Sequence, residues 1–227
     1  MAATETDLRF VATEGTGEVS ARLDRPDDAT ALLVLAHGAG AGMHHHFMAS
    51  MVEALVARRL AVFRYQFPYT EQGRRRPDPQ PRLVGTVRSA VRTAAELAPE
   101  LPLFAGGKSM GGRMTSHAAA DGGLEPVRGV VFLGFPLHPA GKPGITRAEH
   151  LAAVTLPMLF VQGTRDKLAG LPLLEPVLAE LPTARMHIVE DGDHSFTVRK
   201  TRGFDPAAVI PSMADAVVAW VAETTAA

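Results

Sequence analysis

No cysteine occurs among the 227 residues of this chain. Its absence excludes disulfides, thiolate metal sites and a cysteine nucleophile together. Aromatic residues are also scarce, with one Trp and two Tyr in the whole sequence, and the formal net charge is only -1. A nearly neutral chain has no general attraction to nucleic acid or to an anionic membrane, so we expect neither as a partner.

Long uninterrupted apolar runs are missing as well. None reaches the roughly 18 residues that a membrane-spanning helix requires. The opening MAATETDLRF carries acidic residues where a secretory signal has a basic and then an apolar segment. We therefore expect a cytoplasmic protein. Hydrophobic residues make up 46% of the chain, enough for one large core, and we expect a single domain over residues 1–227.

Short apolar runs that end in Gly, Pro or Asp alternate with helical patterns along the chain. The runs that predict strands are ALLVLAHGAG, LAVFRYQFPY, LPLFAGGKS, VRGVVFLGFP, LPMLFVQGTRD and ARMHIVEDGDH. Such runs are typical of strands buried on both faces of a parallel sheet. Helices are predicted at residues 46–59, 83–97, 110–120, 171–181 and 211–223, the last with Trp220 in the core.

This alternation predicts an α/β fold: a doubly wound, mostly parallel sheet with helices on both faces. The opening LRFVATEGTGEVSARLDRP predicts two antiparallel strands at an edge of the sheet. The stretch TEQGRRRPDPQPR, residues 70–82, predicts an exposed loop with Arg74, Arg75 and Arg76 in solvent. In such sheets ligands bind beyond the carboxyl ends of the strands, so residues just after each strand are candidates for function.

Residues 104–112 read FAGGKSMGG and place Ser109 between two glycine pairs, directly after an apolar run. A strand that turns sharply into a helix strains the corner residue, and glycines at 107 and 111 leave space around that corner. The corner presents the hydroxyl of Ser109 clear of the sheet, with the first N–H groups of the helix pointing toward it. A serine that merely caps the helix is the alternative interpretation.

A serine hydroxyl is a weak nucleophile unless a base takes its proton and a third group orients that base. Asp166 and His194 follow two later apolar runs, so both are predicted at the same sheet edge as Ser109. Either one alone is better interpreted as a turn or loop residue, but all three in this order predict a Ser-Asp-His triad. Asp191 and Asp193 are rival carboxylates, which we interpret as turn residues.

Small residues follow the first buried strand, where the sequence reads HGAGAG from residue 37 to 42. Small side chains let backbone N–H groups approach a ligand, so this loop predicts part of an oxyanion hole. We assign the donors to the N–H groups of Met110 and Ala39, with Gly40 as the competitor of Ala39. The predicted substrate-binding residues each lie near the end of one of the predicted strands: Gly38, Gly40, Phe67, Tyr69, Lys108 and His138. Lys108 is either a pocket residue or a solvated lysine.

Three adjacent histidines, His44, His45 and His46, raise the alternative of a metal site. Adjacent residues at the start of a helix point in different directions, and no acidic residue stands at a ligand spacing beside them. We therefore expect neither a metal nor another cofactor.

Five stretches of the sequence resemble the α/β-hydrolase superfamily: LAHGAGAGMHHHFM, GGKSMGGRM, GFPLHPAGKP, LFVQGTRD and DGDHSF. Within it they are most similar to small hydrolases grouped with dienelactone hydrolases, in a branch that includes animal testis-expressed and chromatin-complex proteins. The resemblance implies a Ser-Asp-His esterase-like fold. Many relatives insert a cap after the strand that here reads VVFLGFP; the short segment 137–156 implies no large cap domain. Dienelactone hydrolases proper use a cysteine where this chain has Ser109, so dienelactone activity is not expected.

The sequence thus predicts a serine hydrolase that cleaves a small ester or related acyl substrate through an acyl-enzyme on Ser109. One alternative is a non-catalytic binding or scaffold protein that keeps the fold, because a fold does not imply a function. Another is an acyltransferase or thioesterase that uses the same residues.

Overall fold

A central sheet of eight strands organises the protein, whose computed structural model describes residues 3–226. The strands are β1 (Ala3–Thr13), β2 (Gly17–Pro26), β3 (Ala31–Ala36), β4 (Leu60–Tyr65), β5 (Leu103–Lys108), β6 (Val130–Leu133), β7 (Met158–Gly163) and β8 (Ala184–Val189). The helices are α1 (His46–Val56), α2 (Pro68–Glu71), α3 (Gln80–Leu97), α4 (Met110–Ala120), α5 (Leu171–Ala179) and α6 (Pro206–Ala226), with 3₁₀ segments at Thr146–Ala153 and Lys200–Arg202.

The strand order across the sheet is β1-β2-β4-β3-β5-β6-β7-β8. From β4 to β8 all neighbouring strands are parallel, whereas β2 pairs antiparallel with both β4 and β1. Gly15 has a φ of +77° in the turn between β1 and β2, where a left-handed conformation favours glycine. The predicted doubly wound, mostly parallel sheet with an antiparallel opening pair is confirmed.

Helices cover both faces of the sheet. On one face α1 and α6 enclose an apolar core, in which Trp220 packs against Phe104 with ring centroids 5.7 Å apart. On the other face α3, α4 and the 3₁₀ segment Thr146–Ala153 enclose the larger part of the core. That 3₁₀ segment is the only regular element between β6 and β7, and the described chain has no large cap domain.

Two of the sequence predictions for the periphery were wrong. β8 is not buried on both faces, because it lies at the sheet edge with β7 as its only neighbour, and Ile188 is 38% exposed. The predicted loop at residues 70–82 contains the end of α2 and the start of α3. Arg74 to Arg76 are exposed as predicted, but Asp78 is buried and accepts hydrogen bonds from Arg74 and Arg82. These cations offset the cost of burying the carboxylate.

The last helix is longer than the predicted 211–223 and spans Pro206–Ala226. Of the described helices it alone is long and apolar enough to cross a membrane, judged by length and composition. Uninterrupted apolar runs in the sequence do not reveal this helix, because Asp215 and a few other polar residues interrupt the stretch. Its buried face, which includes Met213, Val217 and Trp220, packs into the core as the face of a core helix does.

Candidate active site

Ser109 occupies the corner between β5 and α4, with φ 51° and ψ -113°. A positive φ is uncommon for a residue with a side chain and signals strain that the surrounding structure must impose. A Cβ at Gly107 would lie 2.6 Å from the carbonyl oxygen of Ala36, and a Cβ at Gly111 only 2.5 Å from the same oxygen. The two glycines are therefore required mainly because β3 passes so close to the corner.

His194 links Ser109 to Asp166 through both nitrogens of its ring. Its Nε2 lies 2.8 Å from Ser109 Oγ, and its Nδ1 lies 2.7 Å from Asp166 Oδ2. An ionised carboxylate only accepts hydrogen bonds, so Nδ1 carries the proton and Nε2 is the acceptor for the serine hydroxyl. The structure thus brings the three residues into one hydrogen-bonded chain, in the order in which proton transfer from the serine requires them.

The carboxylate of Asp166 is almost completely buried, with 1% of its side chain exposed. Burial alone would raise its pKa, but the hydrogen bond and charge of His194 act in the opposite direction. The N–H of Leu168 donates to Oδ1 at 2.8 Å and the Gln162 amide donates to Oδ2 at 2.7 Å. Together these groups hold the pKa of Asp166 below its usual value, so it is ionised at neutral pH.

Gln162 is a site residue that the sequence analysis did not weigh. It lies fully buried within β7 and donates its amide to Asp166. The signal in the sequence was an amide inside an otherwise apolar strand. A buried amide needs a hydrogen-bond partner, so its position four residues before Asp166 was informative.

The two rival carboxylates are occupied elsewhere. Asp191 accepts hydrogen bonds from the side chain and the backbone N–H of Arg199. Asp193 accepts the N–H groups of Ser195 and Thr197 at 2.8 Å and 2.9 Å. Both residues therefore shape the loop that carries His194, and neither replaces Asp166 at its ring.

The predicted oxyanion donors Ala39 and Met110 border one cleft together with Ser109. Met110 opens α4, so its N–H has no acceptor within the helix. Among residues 3–226, the N–H groups of Ala39 and Met110 donate to no backbone or side-chain acceptor. The competing residue Gly40 has a φ of +74° and does not border that cleft. The geometry favours the N–H of Ala39 over that of Gly40 as the second oxyanion donor.

His37 determines how the Ala39 N–H is oriented. Its Nε2 accepts the N–H of Phe67 at 3.2 Å, so Nδ1 carries the proton and donates to the carbonyl of Gly38 at 2.8 Å. That carbonyl and the N–H of Ala39 belong to one planar peptide unit, so holding one directs the other to the opposite side. Burial lowers the pKa of His37 to about 4, which keeps the ring neutral in this role.

Two clefts meet at Ser109. The first cleft has a volume of about 260 Å³ and lies on the side of Ser109 that faces His194. Its lining includes Gly38, Gly40, His45, Phe47, Lys108 and His194. The second cleft has a volume of about 340 Å³ and extends along α4 on the other side. Its lining includes Ala39, Asp78, Met110, Arg113, Arg147 and Leu168.

Three residues predicted to contact substrate do not line either cleft. Phe67 and Tyr69 are buried in the core, where Phe67 packs edge-on against the ring of His37 at 5.0 Å. His138 is also buried, and its Nδ1 hydrogen-bonds to the carbonyl of Pro139. These predictions were wrong because the chain turns inward after these strands, so the side chains support the loops beneath the site.

Lys108 is a residue of the first cleft and not a solvated lysine. Its Nζ donates to the carbonyl of His194 at 2.6 Å and lies over the rings of Phe47 and Phe196, at 5.8 Å and 5.2 Å from their centroids. Burial lowers the pKa of Lys108 to about 8, although the carboxylate of Asp166 opposes that shift. The lysine thus ties the backbone of the histidine loop to the end of β5, directly before Ser109.

Of the three adjacent histidines, His45 and His46 lie together and His44 lies apart. The Nδ1 of His45 accepts the N–H of Phe47 and caps α1, and its ring lies 4.1 Å from that of His46. His44 lines a separate surface depression together with Asp7. Within residues 3–226, no group of three or more metal-ligating side chains is placed to hold an ion.

Comparison with known proteins matches residues 29–222 to the family described as alpha/beta hydrolase domain. Similar solved structures include a dienelactone hydrolase from Anabaena variabilis, with 21% identity over 98% of this chain and 99% of that chain and a TM-score of 0.76. An alpha-beta serine hydrolase homologue from Coxiella burnetii gives 15% identity over 96% and 98% of the chains, at 0.73. The esterase domain of a Rhodothermus marinus protein gives 16% over 96% and 97%, at 0.71.

At these identities the solved structures show a shared fold. The family match extends over most of the sequence and includes β3 to β8 with all three residues of the hydrogen-bonded chain. The chain belongs to the alpha/beta hydrolase family.

Proposed function

We propose that the protein is a serine hydrolase that cleaves a small ester or related acyl substrate. The observation that supports this most strongly is the hydrogen-bonded chain of Ser109, His194 and Asp166 at the meeting point of two clefts. The strained φ of Ser109 adds to it, since such strain persists where a function needs the exposed hydroxyl.

In the proposed reaction, Oγ of Ser109 attacks the carbonyl carbon of the ester while Nε2 of His194 takes the hydroxyl proton. Asp166 keeps the ring in the required tautomer and stabilises the imidazolium that forms. The N–H groups of Met110 and Ala39 bind the oxyanion, each worth on the order of 3 kcal/mol in comparable sites. His194 then protonates the departing alcohol, and a water molecule activated by the same ring releases the acid from Ser109.

Labelling with a fluorophosphonate probe tests the nucleophile directly. We expect an adduct on Ser109, and none in Ser109→Ala. The chain offers a matched control in Ser116, whose Oγ lies 2.7 Å from Nε2 of His150 in a pair that lies outside both clefts. The Ser116→Ala protein should label as the wild type does. A folded wild-type protein that fails to label at Ser109 would refute the proposal.

A panel of p-nitrophenyl esters with acyl chains of increasing length tests turnover. We expect hydrolysis by the wild type and a loss of at least about 10⁴-fold in kcat for Ser109→Ala, because the remaining oxyanion hole and binding groups supply only a small part of catalysis. Equal rates for the two proteins would support a non-catalytic binding role.

Acyl transfer to an alcohol or thiol would use the same residues and differ only in the acceptor. The absence of a large cap domain in the described chain favours water, which reaches both clefts from the surface. Product analysis with added alcohols and with thioester substrates separates these reactions. The placement beside testis-expressed and chromatin-complex proteins, and the cytoplasmic location, stay predictions from the sequence.

A further inference from the structure

Two arginines line the second cleft without an anionic partner. Arg113 lies on α4, one helical turn after Ser109, and Arg147 lies in the 3₁₀ segment that packs against α4. Neither belongs to any of the ion pairs found within residues 3–226. The Nε of Arg113 is buried and has no hydrogen-bond partner. A buried donor without a partner is costly and rare, so it calls for an explanation.

The charges around this cleft favour an anion. Asp78 supplies a carboxylate to the lining, but Arg74 and Arg82 already donate to it at 2.7 Å and 3.2 Å. Burial, and then the charge of Arg147, lower the pKa of Arg113. A guanidinium nevertheless stays protonated at neutral pH, so two cations face the cleft uncompensated. A carboxylate bound between the two guanidinium groups would offset both charges.

The position of His194 determines which half of an ester enters this cleft. The leaving alcohol must receive its proton from Nε2 of His194, so it must lie on the side of that ring. His194 lines the first cleft and does not line the second. The alcohol half therefore occupies the first cleft, and the acyl half extends along α4 into the second.

We propose that the substrate is a monoester of a short dicarboxylic acid, with its free carboxylate held by Arg113 and Arg147. This inference rests on the proposed serine hydrolase function and specifies the acyl group of that same site. Four residues, a rise of about 6 Å, separate Arg113 from the nucleophile along α4, which suits a short acyl chain. Water cleaves the monoester to the dicarboxylic acid and an alcohol, and no further reactant is needed.

Monoethyl adipate, ethyl hexanoate and the hexanoyl ester of glycolic acid form a suitable test set, with hydrolysis followed in a pH-stat. The first carries its carboxylate on the acyl half, the second has none, and the third carries it on the alcohol half. We expect kcat/KM to be at least about tenfold higher for monoethyl adipate than for the other two. Equal values for monoethyl adipate and ethyl hexanoate would overturn the inference and leave the hydrolase function intact.

Arginine variants test the assigned residues. Arg113→Gln and Arg147→Gln should each reduce the ratio of kcat/KM for monoethyl adipate over ethyl hexanoate by about tenfold, because a hydrogen bond to a charged group is lost. Arg113→Lys should recover part of the ratio. Arg128→Gln is the matched control: this exposed arginine precedes β6, at the opposite end of the sheet. A ratio unchanged in both cleft variants would contradict the assignment.

Binding to the Ser109→Ala protein decides the inference independently of turnover. Calorimetry should show tighter binding of monoethyl adipate than of ethyl hexanoate, and a loss of that difference in Ser109→Ala proteins that also carry Arg113→Gln or Arg147→Gln. Thermal unfolding of each variant verifies that it is folded. If the wild type hydrolyses no ester but this binding pattern is found, the proposed function fails and the carboxylate site stands. Equal binding of both compounds overturns the site.

Discussion

The corner at Ser109 and the loop that carries His194 are built in opposite ways. Backbone contacts hold the corner: the N–H of Ser109 donates to Leu133, and Gly107 and Gly111 lie against β3 with no room for a side chain. In the loop, residues 190–199, which follows the exposed edge strand β8, polar side chains add to the backbone hydrogen bonds. Its ties include the hydrogen bonds of Asp191 with Arg199, of Asp193 with backbone N–H groups and of Lys108 with the His194 carbonyl.

This difference determines how each region fails when it is altered. Overpacking at the corner displaces buried strands, and core strain of that kind costs folding free energy. In the loop each hydrogen bond contributes about 1 kcal/mol, so losing one leaves the fold intact. In the proposed reaction a small displacement of His194 would nevertheless weaken proton transfer, because that step depends on the position of the ring. We therefore expect corner variants to lose stability and loop variants to lose activity.

The largest expected effect concerns the carboxylate that orients the histidine. Asp166→Asn should lower kcat by about 10⁴-fold in a protein that still folds, because an amide donor beside Nδ1 reverses the ring tautomer. Asp193→Asn is the control, since its amide oxygen still accepts the N–H groups of Ser195 and Thr197, and we expect a loss of less than about tenfold. Ester kinetics measure both, and similar losses would contradict the assignment of Asp166.

The same variant makes a prediction about pH. Folding lowers the pKa of Asp166 below its ordinary value of 3.8, so the ionised carboxylate stabilises the fold at neutral pH. That contribution is lost as the pH falls through the lowered pKa. The difference in unfolding free energy between wild type and Asp166→Asn should therefore shrink in acid, as measured by urea unfolding from pH 7 to pH 3.

The second prediction tests the packing of the corner at Ser109. Gly111→Ala should destabilise the protein by about 3 kcal/mol or more, because its Cβ would meet backbone oxygens of Ala36 and His37 at 2.5 Å and 2.6 Å. Gly144→Ala is the control, since a Cβ there has no neighbour within 4 Å, and it should change stability by less than about 0.5 kcal/mol. Urea unfolding compares the two. Equal free energies of unfolding for Gly111→Ala and Gly144→Ala would show that β3 shifts to accommodate the added methyl group at little cost.

The third and smallest effect comes from the residue that joins the two regions. Lys108→Met removes the tie to the His194 carbonyl and should lower kcat about tenfold, with KM nearly unchanged. Lys167→Met, which alters an exposed lysine, is the control. A loss confined to KM would assign Lys108 to substrate binding instead.

Lys108→Met also changes how stability depends on pH. The pKa of Lys108 falls from 10.5 to about 8 on folding, so its buried ammonium costs stability at pH 7. That cost fades as the pH rises from about 8 to 10.5, where the unfolded chain binds more protons than the folded one. Between pH 7 and pH 10, the free energy of unfolding measured in urea should rise for the wild type by on the order of 2 kcal/mol relative to Lys108→Met. If the free energy of unfolding changed with pH in the same way for both proteins, the lowered pKa of Lys108 would be contradicted.

Sequence reasoning succeeded where local chemistry and strand order decide the result. Glycines at fixed places around Ser109 predicted the strained corner, and alternating apolar runs predicted the sheet. It failed for Phe67, Tyr69 and His138, because a position after a strand does not reveal whether the chain turns inward. It also missed Arg113 and Arg147, since neither residue has a distinctive motif and they meet only when the 3₁₀ segment packs on α4.

Local sequence patterns specify the doubly wound sheet, the corner at Ser109 and the residue types that follow the other strands. These features depend on periodicity and on backbone sterics, which act over a few residues. Long-range packing brings Asp166, and neither rival, to His194, and it joins the histidine loop to β5 through Lys108. It also created two clefts that meet at one serine. Such contacts join residues far apart in the chain, and crossovers that periodicity does not specify bring them together.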